Sequence, residues 1–247
     1  MKVNFAICGT QKGGTTALDS YLRDHPEVCM SQKKEVHFFD NGDFFDGGEP
    51  DYSNYHSWFQ PKPEQRVIGE ATPIYMYWKS AAQRMHAYNP DMRLIFLLRN
   101  PVERAFSHWN MEYTRGAENL SFHHALQAES DRLHEAAPLQ HRVYSYLDRG
   151  NYCDQLRRIE NIFPKSNLLV LKQEELSGNP KGTLESVSDF LGISAFQKIS
   201  PRNVHALPYA ASMSKTDSQF LRDAFFQEIK ELEKHLGWDC SDWLDYS

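Results

Sequence analysis

The chain has 247 residues, 40 % of them hydrophobic and 24 % charged, and its 27 Lys and Arg against 33 Asp and Glu leave a net charge of −6. That length suits one large α/β domain, and the composition excludes disordered, collagen-like and disulfide-scaffold chains. The acidic balance argues against a nucleic-acid binder, which carries a basic excess, but not against one anion held in a local pocket.

Val3–Cys8 is an apolar run ahead of a glycine, too short for the apolar core of a signal peptide, and reads as a first strand. Thr16–Arg23 predicts a short helix, and Val28–Met30 and Arg66–Gly69 two further strands. Ser80–Tyr88 is a helix stopped by Asn89-Pro90, Arg93–Leu98 a fourth strand, and Pro101 opens a helix through Val102–Tyr113. Helices over Phe122–Leu133 and Tyr152–Phe163, a strand over Asn167–Leu171, and helices over Lys181–Leu191 and Ser218–Leu236 complete the set. Strands apolar on both faces, alternating with helices, predict α/β architecture: a single domain over residues 1–247 whose central parallel sheet is flanked by helices.

Two segments interrupt this rhythm. Residues 38–63 carry Phe38, Phe39, Phe44, Phe45, Tyr52, Tyr55, Trp58 and Phe59 among glycines, prolines and acids, an irregular insertion suited to contact with an acceptor. Residues 200–215 are irregular and polar. No apolar run approaches the ~18–20 residues of a membrane span, so no membrane insertion is expected and the chain reads as cytoplasmic. Cys8, Cys29, Cys153 and Cys240 are far apart, predicting reduced, buried thiols with neither a redox pair nor a metal site.

The chemistry is concentrated after the first strand. Gly9-Thr10-Gln11-Lys12-Gly13-Gly14-Thr15-Thr16 joins strand to helix, and glycines there let successive amides turn inward at a helix N-terminus, a P-loop-like cradle for phosphate. The spacing matches an ATP-binding P-loop, but Thr15 stands where that loop has its lysine, and the lysine has moved forward to Lys12. A second stretch, Leu94-Ile-Phe-Leu-Leu-Arg99-Asn-Pro-Val-Glu-Arg104-Ala-Phe-Ser107, places a guanidinium fork and a hydroxyl around the turn from strand to helix.

These two stretches, with Lys34-Glu35-Val-His37-Phe-Phe-Asp40 and Gly69-Glu70-Ala-Thr-Pro73-Ile-Tyr75, resemble the sulfotransferases that use 3′-phosphoadenosine-5′-phosphosulfate (PAPS). The likeness is to bacterial members and to the heparan sulfate branch, which share the QKGGTT form of the loop. It implies that Lys12, Gly13, Gly14, Thr15 and Thr16 bind the 5′-phosphosulfate and that Arg99 and Ser107 bind the 3′-phosphate, with Lys215 a further nucleotide contact in a covering loop over residues 200–215. Sulfuryl transfer needs the bridging oxygen of the departing nucleotide neutralised, a role for Lys12, and a base for the acceptor proton. The resemblance points to Glu70 as that base, with His37 its rival and Lys34, His37 and Glu70 facing the acceptor.

The acceptor expected is a small-molecule or carbohydrate hydroxyl on a glycolipid, saccharide or natural product. The net charge and Asp40, Asp43, Asp46, Glu49 and Asp51 in the insertion weigh against a polyanion. A P-loop nucleotide kinase and a non-catalytic nucleotide-binding protein are the alternatives. Neither the acceptor's identity nor the oligomeric state can be read from the pattern.

Overall fold

Each predicted apolar run becomes a strand, at most two residues out of register with its expected ends: β1 (Phe5–Gly9), β2 (Val28–Met30), β3 (Val67–Ala71), β4 (Arg93–Leu98) and β5 (Leu168–Lys172). The helices are α1 (Thr15–Arg23), α2 (Ser53–His56), α3 (Ala81–Tyr88), α4 (Pro101–Thr114), α5 (Phe122–Ala136), α6 (Tyr152–Glu160), α7 (Gln173–Gly178), α8 (Pro180–Leu191), α9 (Lys215–Leu236) and α10 (Ser241–Leu244). They come from a computed structural model that describes residues 1–200 and 208–244. These residues form two compact units, 1–98 with 158–200, and 99–157 with 208–244.

The first unit holds the sheet. All four pairings are parallel, in the order β2-β3-β1-β4-β5, with Ala6 opposite Glu70 on one side of β1 and Leu94 on the other. The chain leaves β1 towards β3 and β2 on one side and takes up β4 and β5 on the other. Connections therefore diverge at the C-terminal end of β1, where open α/β sheets collect ligands. Leu18 and Leu22 of α1 and Leu184 and Val187 of α8 are wholly buried with Phe5, Ile7, Ile95 and Leu97 of the sheet. This covering of strands apolar on both faces fixes the α/β class.

The insertion is more regular and more buried than its composition predicts. It contains α2 and a short 3₁₀ turn, Gly42–Phe44, and Phe38, Phe39, Tyr55 and Phe59 lie in the core. Phe38 stacks on Tyr55 at 4.9 Å, and Phe39 meets the same ring edge-on at 5.0 Å. Most of the aromatic content thus packs against itself, and only Phe44 and Trp58 remain as large exposed rings.

In the second unit, Asn100 caps α4 by accepting the Val102 N–H at 3.0 Å and Pro101 occupies the first helical position. Trp109 and Tyr152 are buried there. Helix α9 starts three residues earlier than predicted because the Ser214 hydroxyl accepts the Asp217 N–H at 3.0 Å. Lys215 therefore stands exposed on a helical first turn and not in a loop. Of the predicted covering loop, residues 201–207, including Asn203 and His205, lie outside the described residues.

Ile95, wholly buried between Ile7 and Leu169, tests this core. Ile95→Ala is expected to lower unfolding free energy by about 2–5 kcal/mol in urea titration, the usual cost of a buried aliphatic truncation.

Candidate active site

Backbone geometry defines the loop after β1. Thr10 N–H donates to Leu97 O of β4 at 2.8 Å, and Gly13 N–H returns to Thr10 O at 2.9 Å, closing a tight turn. A Cβ at Gly13 would stand 2.3 Å from Leu97 O, so any side chain there would push the loop off the sheet. Gly14 has φ +86° and caps α1 without a side-chain hydrogen bond, and Lys12 has φ +70°. A left-handed lysine is uncommon and persists only where its surroundings hold it, a pattern concentrated at functional sites.

Among the described residues, the amide N–H groups of Gly14, Thr15 and Thr16 have no acceptor. Consecutive donors without an acceptor at a helix N-terminus, two residues after Lys12 in the chain, suit a doubly charged anion. The residues present fit the phosphosulfate end of PAPS.

Beside this cradle, on the same C-terminal edge of the sheet, the chain leaves β2 and runs along β3. Ser31 N–H donates to Gly69 O at 2.9 Å and Glu35 N–H to Ala71 O at 3.0 Å. Glu35 and His37 both have left-handed backbones, φ 62° and 57°. Their side chains meet in an ion-pair chain: Lys34 Nζ lies 3.0 Å from Glu35 Oε1, His37 Nε2 3.5 Å from Glu35 Oε2, and His37 Nδ1 3.0 Å from the buried Asp40 Oδ2.

Asp40 and then Glu35 hold the imidazolium, pushing the His37 pKa up to about 9. His37, aided by Lys34, draws Glu35 down to about 2 against the opposing effect of burial. At neutral pH Glu35 is therefore a carboxylate and His37 a cation. As an imidazolium, His37 has no lone pair with which to accept a proton.

Glu70 occupies different surroundings. Its side chain is 0 % exposed, whereas the Glu35 side chain is 39 % exposed. Glu70 Oε1 accepts from Tyr55 Oη at 2.9 Å and Tyr75 Oη at 3.1 Å, and Oε2 accepts from Thr72 Oγ1 at 2.5 Å. Burial raises its pKa and the three hydroxyls pull against that rise. Tyr75 Oη also accepts the N–H groups of Phe38 and Phe39 at 3.1 and 3.4 Å, so Glu70 is tied through one phenol to the residues that follow His37.

In the second unit, both Nε and Nη2 of Arg99 bond Glu103 Oε2, at 3.1 and 2.6 Å, and the Tyr152 hydroxyl donates to Arg99 O at 2.9 Å. Ser107 is buried on the second turn of α4. Sequence reasoning passed over Glu35, although a signal was present: Lys34, Glu35, His37 and Asp40 fall within seven residues, an acid–base alternation denser than a solvated surface needs.

A family model described as a sulfotransferase domain matches residues 3–230. The chain belongs to this family. It is 29 % identical to a sulfotransferase of Alicyclobacillus acidocaldarius whose crystal structure matches with a TM-score of 0.85, covering 99 % of this chain and 100 % of that one. It is 33 % identical to heparan sulfate glucosamine 3-O-sulfotransferase 6 of Homo sapiens, over 76 % of this chain and 51 % of that protein. With the membrane-associated sulfotransferase kil1 of Dictyostelium discoideum, identity is 25 % over 81 % of this chain and 59 % of the relative. This sulfotransferase chain thus spans just over half the length of these two curated relatives. No helix among its described residues is long and apolar enough to cross a membrane.

The signs of the two shifts set a pH window. The raised His37 pKa contributes stability in full below its ordinary 6.5, and this is lost as pH rises through about 9. The lowered Glu35 pKa contributes in full above its ordinary 4.5, and this is lost as pH falls through about 2. An NMR titration should find the His37 midpoint near 9. Asp40→Asn should bring it down towards the ordinary value, and an unchanged midpoint in that variant would contradict the pairing.

Proposed function

We propose that the chain transfers a sulfuryl group from PAPS to an acceptor hydroxyl, releasing adenosine 3′,5′-bisphosphate. The observation that carries this reading is the loop in which Gly13 admits no Cβ and the next three amides have no acceptor among the described residues. Family membership supports it. Nothing in the loop favours a kinase, since Thr15 follows Gly14 where nucleotide kinases need lysine. PAPS supplies an activated sulfuryl group on a phosphate leaving group.

The chain's residues then have separable tasks. The amides of Gly14, Thr15 and Thr16 hold the anionic oxygens. Lys12 faces the bridging oxygen and neutralises the charge it gains as its bond to sulfur breaks. Arg99 and Ser107 are the proposed ligands of the 3′-phosphate, and Lys215, exposed at the start of α9, is a weaker further candidate. Glu35 is the proposed base: it is ionised, reachable and held by Lys34 and His37, so that the acceptor proton passes to its carboxylate as the new oxygen–sulfur bond forms.

This moves the base from Glu70, the sequence expectation. Glu70 lies out of reach of an acceptor with both oxygens occupied, and it acts as a positioning residue through Tyr55 and Tyr75. His37 serves as a charged partner of Glu35 and not as a base. The acceptor class supported by the heparan sulfate relative is a carbohydrate hydroxyl. The sequence supports a cytoplasmic placement, and the likeness to the Alicyclobacillus acidocaldarius protein supports an enzyme of bacterial type.

Calorimetry with adenosine 3′,5′-bisphosphate is expected to show magnesium-independent binding, lost in Gly13→Ala. Preferential, magnesium-dependent binding of ATP would overturn the reading. Lys12→Ala should abolish transfer from PAPS with the fold retained. Glu35→Gln should lower kcat by ~10²–10⁴ with bisphosphate affinity unchanged. Glu70→Gln should instead lower the melting temperature and perturb the His37 resonance, with a smaller loss of kcat. If Glu70→Gln kept its stability and lost as much kcat as Glu35→Gln, the base would return to Glu70.

A further inference from the structure

A second polar feature lies along the free edge of the sheet, outside the machinery assigned above. The outer side of β2 is lined by a cleft of about 290 Å³ whose polar walls are Gln32, Gln60, Gln65, Lys62 and Arg23. No carboxylate is among the described residues that line it. Arg23 is already committed, its guanidinium bonding both oxygens of Asp19 at 2.7 and 3.1 Å and Ser31 O at 2.6 Å. Gln65 donates to Val28 O at 2.8 Å and accepts the Lys62 N–H at 3.0 Å, which holds the cleft floor to the strand. The side-chain amides of Gln32 and Gln60 and the ammonium of Lys62 engage no partner among the described residues.

Trp58 is tied to this cleft through its backbone. Its carbonyl accepts the Gln32 N–H at 2.8 Å, which joins the indole's backbone to the cleft wall. The side chain is one of two large aromatic rings of the insertion that stay exposed, and Lys33 Nζ stands 5.6 Å from its centroid. That cation is exposed and only loosely held at such a distance. Lys33 is two residues from Glu35, at most ~7 Å of extended chain.

The combination has a specific chemical meaning. An exposed indole offers an apolar face to the C–H face of a sugar ring. Primary amides both donate and accept, matching the hydroxyls of a saccharide. The Lys62 ammonium in the cleft and that of Lys33, next in sequence to the lining Gln32, with no carboxylate among the described lining residues, favour a ligand that carries negative charge. None of the insertion's acids is among the residues lining the cleft, and of them Asp40 is paired with His37, Asp51 accepts from Ser53 N–H and Oγ at 2.8 and 2.7 Å, and Asp46 interacts with Arg84.

We propose that Trp58, Lys33, Lys62 and the amides of Gln32 and Gln60 form a saccharide subsite for a sugar bearing a carboxylate or sulfate, beside the acceptor carboxylate Glu35. The subsite rests on the transferase reading for its purpose, which is to hold the neighbouring unit of an oligosaccharide acceptor, but not for its binding chemistry.

The probes are a hyaluronan tetrasaccharide, which carries glucuronate, and chitotetraose, its neutral counterpart, each titrated in the presence of adenosine 3′,5′-bisphosphate. The acidic sugar is expected to bind at least about ten-fold more tightly, with the margin shrinking as salt is raised. Trp58→Ala should weaken both sugars, and Lys33→Gln with Lys62→Gln should erase the margin while leaving bisphosphate affinity unchanged. Equal affinity for the two sugars, no measurable binding of either, or variants that bind like the parent would overturn the subsite. The two readings fail separately. Trp58-dependent binding without sulfuryl transfer would leave the subsite standing and remove the enzyme, whereas transfer to saccharides indifferent to Trp58 and the two lysines would do the reverse.

Discussion

The wholly buried carboxylate of Glu70 is the constraint on which the acceptor side of this chain depends. A carboxylate inside a sheet core must be compensated by hydrogen bonds, and the chain supplies three hydroxyls, from Tyr55, Thr72 and Tyr75. Those partners are five residues or fewer away on one side and fifteen on the other. Satisfying one buried group therefore draws α2 of the insertion onto β3. Because Tyr75 Oη also receives the Phe38 and Phe39 amides, the same network fixes the end of the Lys34 to Asp40 segment. The segment then has little backbone freedom, consistent with left-handed conformations at Glu35 and His37 that an unsupported loop would abandon.

A second consequence is a division of labour between carboxylates. Glu70 spends its hydrogen-bonding capacity on architecture. Glu35, half-exposed and ionised beside an imidazolium, keeps its capacity for something outside the chain. The two are joined by the 2.9–3.1 Å contacts around Glu70 at one end and the backbone bond from Glu35 N–H to Ala71 O at the other, so β3 carries both the support and the supported group. Such a pairing of a rigid buried anion with a reachable one is a physical route to preorganisation: the reachable group's position is set before an acceptor arrives.

Legibility in the sequence followed the range of the interactions. The strands were readable because burial on both faces leaves continuous apolar runs, and the phosphate cradle because glycine spacing encodes a local turn. The loop placement of Lys215 was overturned because one Ser214 cap decides where α9 begins. The surroundings of Glu70 were illegible for a different reason. A glutamate at a strand end looks alike in sequence whether it faces solvent or a cage, and the cage comes from Tyr55, whose place depends on how the insertion folds back. The aromatic insertion was likewise taken for acceptor surface, since composition alone does not separate rings that stack on one another from rings that stay exposed. Glu35 was passed over although its charged neighbours were visible, because its left-handed backbone and its contact with His37 exist only in three dimensions.

The net charge of −6 finally has to be weighed against where charges stand. A whole-chain sum describes the far field, which salt screens over ~8–10 Å, whereas a ligand at the sheet edge responds to groups within that distance. Along β2 the polar lining is Lys62, Arg23 and three glutamines, and among the acids of the insertion Asp40 is engaged with His37 and Asp46 with Arg84. The opening inference from composition, that an acidic chain disfavours polyanionic partners, therefore holds for diffuse attraction and leaves a local anion site open. The same segregation that lets an acidic chain carry a phosphate-cradle loop is what the proposed acidic-sugar subsite relies on.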